Sequence, residues 1–87
     1  MNEFKVETTQ QLASHLRSLR RSHQLTQSQL GTRLNVEQAR IAKIEKSPGS
    51  ISVDQLLAIL NALDAFVVIQ RRPTKKVTKA IRTSVDW

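Results

Sequence analysis

The sequence predicts an all-α domain, a compact bundle of four or five helices that contains a helix-turn-helix, followed by one β-strand and a basic tail. Three observations predict this architecture. Apolar side chains recur at helical spacing along residues 8–64. At three places a Ser or Thr is followed three residues later by Gln, the capping-box pattern of a helix start. Two short amphipathic patterns, separated by about four residues, fill residues 26–46.

The first capping box predicts a helix from Thr8, with Gln11 as its partner, to about Gln24. Its apolar side chains recur three and four residues apart, so we expect them to face the core. They are Leu12, Leu16 and Leu19. The arginines of this helix lie mostly off that stripe and are Arg17, Arg20 and Arg21.

The other two capping boxes predict a second and a fourth helix. Thr26 with Gln29 opens the second helix, whose inward pair is Leu30 and Leu34. Ser52 with Gln55 opens the fourth helix after a loop at residues 47–50. The side chains of the fourth helix that we expect to face inward are Val53, Leu56, Leu57, Leu60 and Leu63.

The third helix is expected from about Val36 or Glu37 to Lys46. A helical wheel of about 100° per residue places Ile41 and Ile44 inward. The side chains on the opposite, outward face are Ala39, Ala42, Lys43 and Lys46, with Gln38 and Arg40 beside them. Such small, amide and basic side chains are the types that can read base edges when a helix lies in the major groove of DNA.

Asn35 lies at the corner between the second and third helices. It either takes up the left-handed conformation that such corners often need, which Asn tolerates better than most residues, or caps the third helix with Gln38 as its partner. The sequence leaves both roles open.

Residues 65–69 form an apolar run that is rich in β-formers and too short for another helix. We predict a strand at 65–70, between a domain at 1–64 and a basic tail at 71–87. A lone strand must find a partner for its backbone. We favour the same strand of a second subunit, paired through Phe66, Val67, Val68 and Ile69; the alternatives are pairing near residues 4–6 and packing over the helices as a strap.

Size and composition narrow the class of protein. A chain of 87 residues can bury only a small core, so a homodimer is expected to add stability. The net charge is +7, and residues 70–87 hold six basic and one acidic side chain, which favours an acidic partner such as nucleic acid.

There is no cysteine, phosphate loop or carboxylate pair at useful spacing. We therefore expect no enzyme, cofactor or metal site, and a cytoplasmic protein, at the nucleoid, without a membrane segment.

The motif at residues 26–30, TQSQL, followed by IAKIE at 41–45, resembles the Xre/phage-repressor helix-turn-helix family over roughly residues 8–64. The resemblance implies a lambda-repressor-like bundle that is dimeric on palindromic double-stranded operator DNA. It implies phosphate contacts from Gln27 and Ser28, base reading by Gln38, and base or phosphate contacts from Arg40 and Lys43. We add Ala39, which could touch a thymine methyl, and the outward Lys46. The resemblance also implies an internal ion pair, formed by Arg20 and Glu45.

An Xre domain that is followed by one apolar strand and a basic tail ending in Asp86-Trp87 resembles the HipB-type antitoxins. That family pairs two strands across its dimer, represses its own toxin-antitoxin operon, and binds and neutralises a HipA-type serine/threonine kinase toxin. By this resemblance Trp87 is a candidate toxin contact. The alternative is a stand-alone Xre-family transcriptional repressor without a toxin partner.

Glu37 departs from the family pattern, which has a small or basic residue at the start of the recognition helix. Its carboxylate either accepts a hydrogen bond from cytosine N4, or has only a capping or dipole role at the helix start. The dipole interaction is worth about 0.3–1 kcal/mol and favours the second role.

Overall fold

The structure, a computed structural model, describes residues 3–73. Within them the chain forms four α-helices and one short 3-10 turn. These are α1 at Thr9–Ser22, α2 at Gln27–Leu34, α3 at Gln38–Lys46, the turn at Pro48–Ser50, and α4 at Val53–Ala62. The predicted all-α class and its helix-turn-helix, formed by α2 and α3, are confirmed. None of these helices is long and apolar enough to cross a membrane.

All three predicted capping boxes form. The hydroxyls of Thr8, Thr26 and Ser52 accept from the amides three residues on, at 3.1, 3.0 and 3.0 Å. In each box the glutamine side chain returns to the backbone of the capping residue. Each pair satisfies two of the amides that a helix start leaves without an intrahelical partner. The sequence therefore sets the first residue of α1, α2 and α4.

The core lies where all four helices meet. Its most deeply buried side chains are Leu16, Leu30, Ile41 and Leu63, and Ile44, Ile59 and Leu60 complete it. The prediction that Val53 and Leu57 of α4 face inward is wrong, since their exposed fractions are 69% and 44%. Leu57 is displaced by about 100° from the buried stripe, and Val53 lies in the first turn, at the edge of the core. Ile59 faces inward in their place.

The corner between α2 and α3 is tight. Asn35 ends α2 in the left-handed conformation, with φ 60° and ψ 41°. Of its two predicted roles, the left-handed corner is therefore correct and the cap of α3 is wrong, since the N-cap of α3 is Glu37. The amide of Val36 donates to the carbonyl of Gly31 at 2.8 Å. A Cβ on Gly31 would lie 2.6 Å from the Val36 oxygen, so this position needs a residue without a side chain. The corner brings the start of α3 onto α2.

Residues 65–73 follow α4 without regular secondary structure, and 66–69 are exposed in the single chain. Because Ile69 is 92% and Phe66 80% exposed, the alternative of a strap packed over the helices is wrong for these residues. No backbone hydrogen bond joins 65–73 to residues 3–7. The two segments meet through an ion pair instead, with Arg72 donating to Glu7 at 2.6 Å. A strand that pairs across a dimer stays a prediction.

Candidate nucleic-acid interface

Helix α3 is held against α2 and α1, and one side of it remains open to solvent. Ile41 and Ile44 anchor it in the core, as predicted from the wheel. The exposed positions are Glu37, Gln38, Ala39, Lys43 and Lys46, while Arg40 and Ala42 are half-buried. The structure thus gathers most of the predicted recognition residues on one face. That face carries a carboxylate, an amide, the small side chain of Ala39 and two lysines.

Gln38 lies at the start of α3 and is bound to the start of α2. Its Nε2 donates to the Gln27 Oε1 at 2.6 Å. Gln27 in turn donates from its Nε2 to the Glu45 Oε1 at 3.1 Å. Both glutamines were predicted to contact DNA, but the bond between them was not predicted, because residues 11 apart on different helices share no periodic signal.

The structure brings Arg20 and Glu45 together in the core. The Arg20 Nε donates to the Glu45 Oε2 at 2.6 Å, and its NH2 group donates to Oε1 at 3.2 Å. Both residues are buried, at 7% and 4% exposure. The remaining NH1 group of Arg20 donates to the carbonyl of Leu25 at 2.8 Å. A two-pronged pair with a further donor bonded to a backbone carbonyl is the arrangement in which a buried charge is tolerated.

Arg40 points towards the start of α4. Its NH2 group donates to the Gln55 Oε1 at 3.1 Å, an oxygen that also accepts from the amide of Ser52 at 3.4 Å. The guanidinium has five donors, so this contact leaves others for an anion. The flank of α3 occupied by Arg40 is therefore braced by α4, while the flank occupied by Gln38 is braced by α2.

Ser28 and Gln27 lie in the first turn of α2, where backbone amides point outward and favour an anion. Ser28 is exposed and Gln27 is half-buried. Glu37 is the N-cap of α3, but its side chain makes no capping hydrogen bond. Of the predicted roles of Glu37, side-chain capping is therefore wrong, and the dipole interaction and base reading remain.

Arg17 was not predicted to take part in the site. Its NH1 group donates to the carbonyl of Glu45 at 3.2 Å, near the last turn of α3. A cation at the C-terminal end of a helix is stabilised by the helix dipole. The sequence signal was present, since Arg17 lies off the apolar stripe of α1, but it did not identify the partner.

The two histidines make contacts away from this face. His15 stacks on Phe4 with ring centroids 4.7 Å apart, and the His23 Nε2 lies 2.7 Å from the carbonyl oxygen of Leu63. Within residues 3–73 no group of three or more His, Cys, Asp and Glu side chains could hold a metal ion. The predicted toxin contact, Trp87, lies outside the described residues.

A family model described as Helix-turn-helix matches residues 16–65, which include α2, α3 and α4. The chain belongs to this helix-turn-helix family. The match places the motif on the two helices whose geometry is described above. It stops before the basic tail, so the helix-turn-helix family alone gives no role to residues 66–87.

Two similar proteins cover more of the chain than the helix-turn-helix family model. Antitoxin HipB of Escherichia coli O6:H1 is 24% identical over 87 residues, which is 100% of this chain and 93% of that protein. Among solved structures, a chain of a HipB-O1-O2 complex superposes with a TM-score of 0.70 at 25% identity, and the match covers 77% of this chain and 97% of that chain. The resemblance to HipB-type antitoxins is confirmed.

Proposed function

We propose that this chain is a sequence-specific DNA-binding antitoxin that represses its own toxin-antitoxin operon and neutralises a HipA-type serine/threonine kinase. The observation that carries the DNA-binding part is the exposed face of α3, which presents Gln38 and two lysines from a rigid helix-turn-helix. The outer face of such a helix fits the major groove, where base edges differ in their donors and acceptors. The similarity to HipB supports the antitoxin part.

The residues of the interface divide into two roles. Gln38 reads a base, because a side-chain amide can pair with the N6 and N7 of adenine together. Ala39 keeps the helix close to the groove floor. Arg40, Lys43 and Lys46 are spread along α3 and contact bases or phosphates, and Gln27 and Ser28 hold a phosphate at the start of α2. Glu37 accepts from a cytosine or acts only on the helix dipole.

Binding to the palindromic DNA upstream of the chain's own gene tests the interface. We expect Gln38→Ala to relax one operator position by about 1–3 kcal/mol. Lys43→Ala should weaken binding to every sequence and reduce the salt slope by about one. Asn61→Ala, which removes an exposed amide on α4, is the control and should bind like wild type. Wild-type binding by both α3 variants would refute the assignment of α3 as the recognition helix.

The dimer is proposed to form through Phe66, Val67, Val68 and Ile69. Their exposure in the single chain leaves apolar side chains and backbone groups free to pair with the same segment of a second copy. Val68→Pro removes a ladder donor and should raise the dimer dissociation constant, measured by analytical ultracentrifugation. Val53→Pro is the matched control, because Val53 is the exposed first residue of α4, a position where a helix tolerates proline. Tight dimers of Val68→Pro would exclude the strand pair.

The proposal predicts that a HipA-type kinase is encoded beside this chain, and neutralisation is tested with that kinase. Deletion of residues 73–87, or Trp87→Ala, should weaken the complex measured by isothermal titration while operator binding persists. A stand-alone repressor is the second candidate. The helix-turn-helix family match covers residues 16–65, and DNA binding by this part of the chain requires no toxin. If no HipA-type kinase binds the full chain, the stand-alone repressor is the function that remains.

A further inference from the structure

Two short segments of the described chain leave apolar side chains open to water, and neither has regular secondary structure. The N-terminal segment, residues 3–7, exposes Phe4 by 45% and Val6 by 44%. The C-terminal segment, residues 65–73, exposes Phe66, Val67, Val68 and Ile69. The proposed dimer uses only the C-terminal segment, so the apolar side chains of the N-terminal segment have no assigned role.

The N-terminal segment is held in place by three contacts. The ring of Phe4 stacks on His15 of α1, with centroids 4.7 Å apart. The amide of Glu7 donates to the Oε1 of Gln11. The carboxylate of Glu7 accepts from the NH2 group of Arg72 at 2.6 Å. Because Arg72 belongs to the C-terminal segment, the two segments are neighbours on the surface.

The strand pair proposed for the dimer is small for a stable interface. A standard interface uses about 20–30 residues a side and covers roughly 800 Å² of each partner. Residues 66–69 cannot supply that area alone, so neighbouring surface must be buried with them. Phe4 and Val6 are exposed apolar side chains that the ion pair of Glu7 and Arg72 ties to this region. They are therefore candidates for the missing area.

The charges of the two segments suit a second copy of this chain. The N-terminal segment carries Glu3 and Glu7, and the C-terminal segment carries Arg71 and Arg72. In a two-fold dimer the same patch meets itself, so a patch that carries both signs can be self-complementary. Two chains of net charge +7 repel each other. Acidic side chains beside the arginines reduce that repulsion where the copies meet.

We propose that the N-terminal segment is a second part of the dimer surface, in which Phe4 and Val6 are covered by a second copy of this chain. The inference rests on the proposed dimerisation through residues 66–69. The apolar side chains supply the burial, while the exposed ion pair of Glu7 and Arg72 contributes little and marks where the segments adjoin. The dimer surface is then divided between segments at opposite ends of the described chain.

The dimer dissociation constant of Val6→Asn, measured by analytical ultracentrifugation, tests whether Val6 is buried between two copies. We expect a rise of about tenfold or more, since each dimer carries the change twice. Val53→Asn is the matched control, because it makes the same exchange at a side chain that is 69% exposed in the first turn of α4. An unchanged constant in Val6→Asn, or equal rises in the two variants, would overturn the inference.

A single thiol reports directly on coverage of the N-terminal segment. The sequence contains no cysteine, so Val6→Cys and Val53→Cys each present one thiol to a maleimide reagent. We expect the labelling rate constant of Val6→Cys to fall as the protein concentration rises through the dimer dissociation constant, and that of Val53→Cys to stay constant. A Val6→Cys rate that is independent of concentration would contradict the inference. Shielding only after addition of a HipA-type kinase would assign the segment to that partner and overturn the inference as well.

Val68→Pro separates failure of the inference from failure of the proposed dimer. If Val68→Pro keeps a tight dimer, dimerisation through residues 66–69 is wrong, and the inference falls with it. If Val68→Pro weakens the dimer while Val6→Asn does not, only the role of the N-terminal segment is wrong. Val6 and Val68 lie outside the helices, so both variants should keep the circular dichroism of wild type. Unfolding would then not explain a weaker dimer.

Discussion

Two ion pairs of equal length lie in very different surroundings. The Arg20 Nε to Glu45 Oε2 distance and the Arg72 NH2 to Glu7 Oε2 distance are both 2.6 Å. The side chains of the first pair are 9% and 5% exposed, and those of the second are 79% and 42% exposed. The first pair joins α1 to α3 inside the helical domain. The second joins the two extended segments, residues 3–7 and 65–73, at its surface.

The difference teaches that burial and further partners, and not the length of a contact, decide what an ion pair does. Around Glu45 the interior is poor in water, so a charge there cannot be left without its partner. Around Glu7 water and salt replace the partner at little cost. The helical domain therefore depends on its ion pair, whereas the joined extended segments do not depend on theirs.

The largest expected effect is that of Glu45→Ala. It leaves the guanidinium of Arg20 buried without a carboxylate and removes an acceptor of Gln27. We expect a loss of about 3–5 kcal/mol in the free energy of unfolding, measured by urea denaturation. Glu7→Ala is the matched control and should shift the denaturation midpoint only slightly, because its ion pair is exposed. Equal losses in the two variants would remove the distinction between the pairs.

A double variant shows how much of the stability lost in Glu45→Ala comes from leaving the charge of Arg20 buried without a partner. Arg20→Met with Glu45→Leu should recover most of the stability that Glu45→Ala loses, because no unpaired charge remains. A double variant that is as unstable as Glu45→Ala would mean that the hydrogen bonds to Leu25 and Gln27 carry the stability instead.

The same contrast explains what the sequence predicts well. Thr8, Thr26 and Ser52 act on amides three residues away, so local spacing was enough to place three helix starts. Long-range contacts carry no such signal. The partner of Arg20 is 25 residues away and was suggested only by family resemblance, supported by the inward position of Glu45 on the helical wheel. Glu7 and Arg72 are 65 residues apart on irregular segments and were not predicted.

The errors of the prediction also have a physical origin. In α4 the apolar residues cover more than one face, so the wheel alone could not tell that Ile59 is buried and Leu57 is exposed. In the candidate site, the types of residue on α3 were predictable from its outward stripe. The orientation of their side chains was not, because the amide of Gln38 is fixed by Gln27 on another helix.

An intermediate effect is expected at the corner of the helix-turn-helix. Gly31→Val places a side chain where a Cβ alone would lie 2.6 Å from the Val36 oxygen, so the corner must open. We expect a loss of about 1–3 kcal/mol in unfolding free energy. Gly49→Val is the control, since a Cβ there meets only the Thr9 side chain, at 3.3 Å from Cγ2 and 3.9 Å from Cβ. If both variants cost the same, the tight corner is not the cause.

The smallest effect is expected for the exposed pair, and pH isolates it. The hydrogen bond from Arg72, then the charges of Arg72 and Lys5, hold the pKa of the Glu7 carboxyl below its ordinary value. A carboxylate with a lowered folded-state pKa adds stability above its unfolded pKa and loses it as the pH falls through the folded pKa. The small stability difference between wild type and Glu7→Gln should therefore be present at pH 7 and be lost as the pH falls through the lowered folded-state pKa of Glu7.

Carbon-13 NMR titration of the Glu7 carboxyl measures the cause directly. Arg72→Ala should raise the pKa of Glu7 towards its ordinary value, because the first two causes of the lowering are removed together. Arg71→Ala is the neighbouring control and should leave the titration unchanged. High salt should raise the pKa in wild type as well, since the pair is exposed. A Glu7 pKa that is unmoved by Arg72→Ala would show that the two extended segments are not joined by this pair in solution.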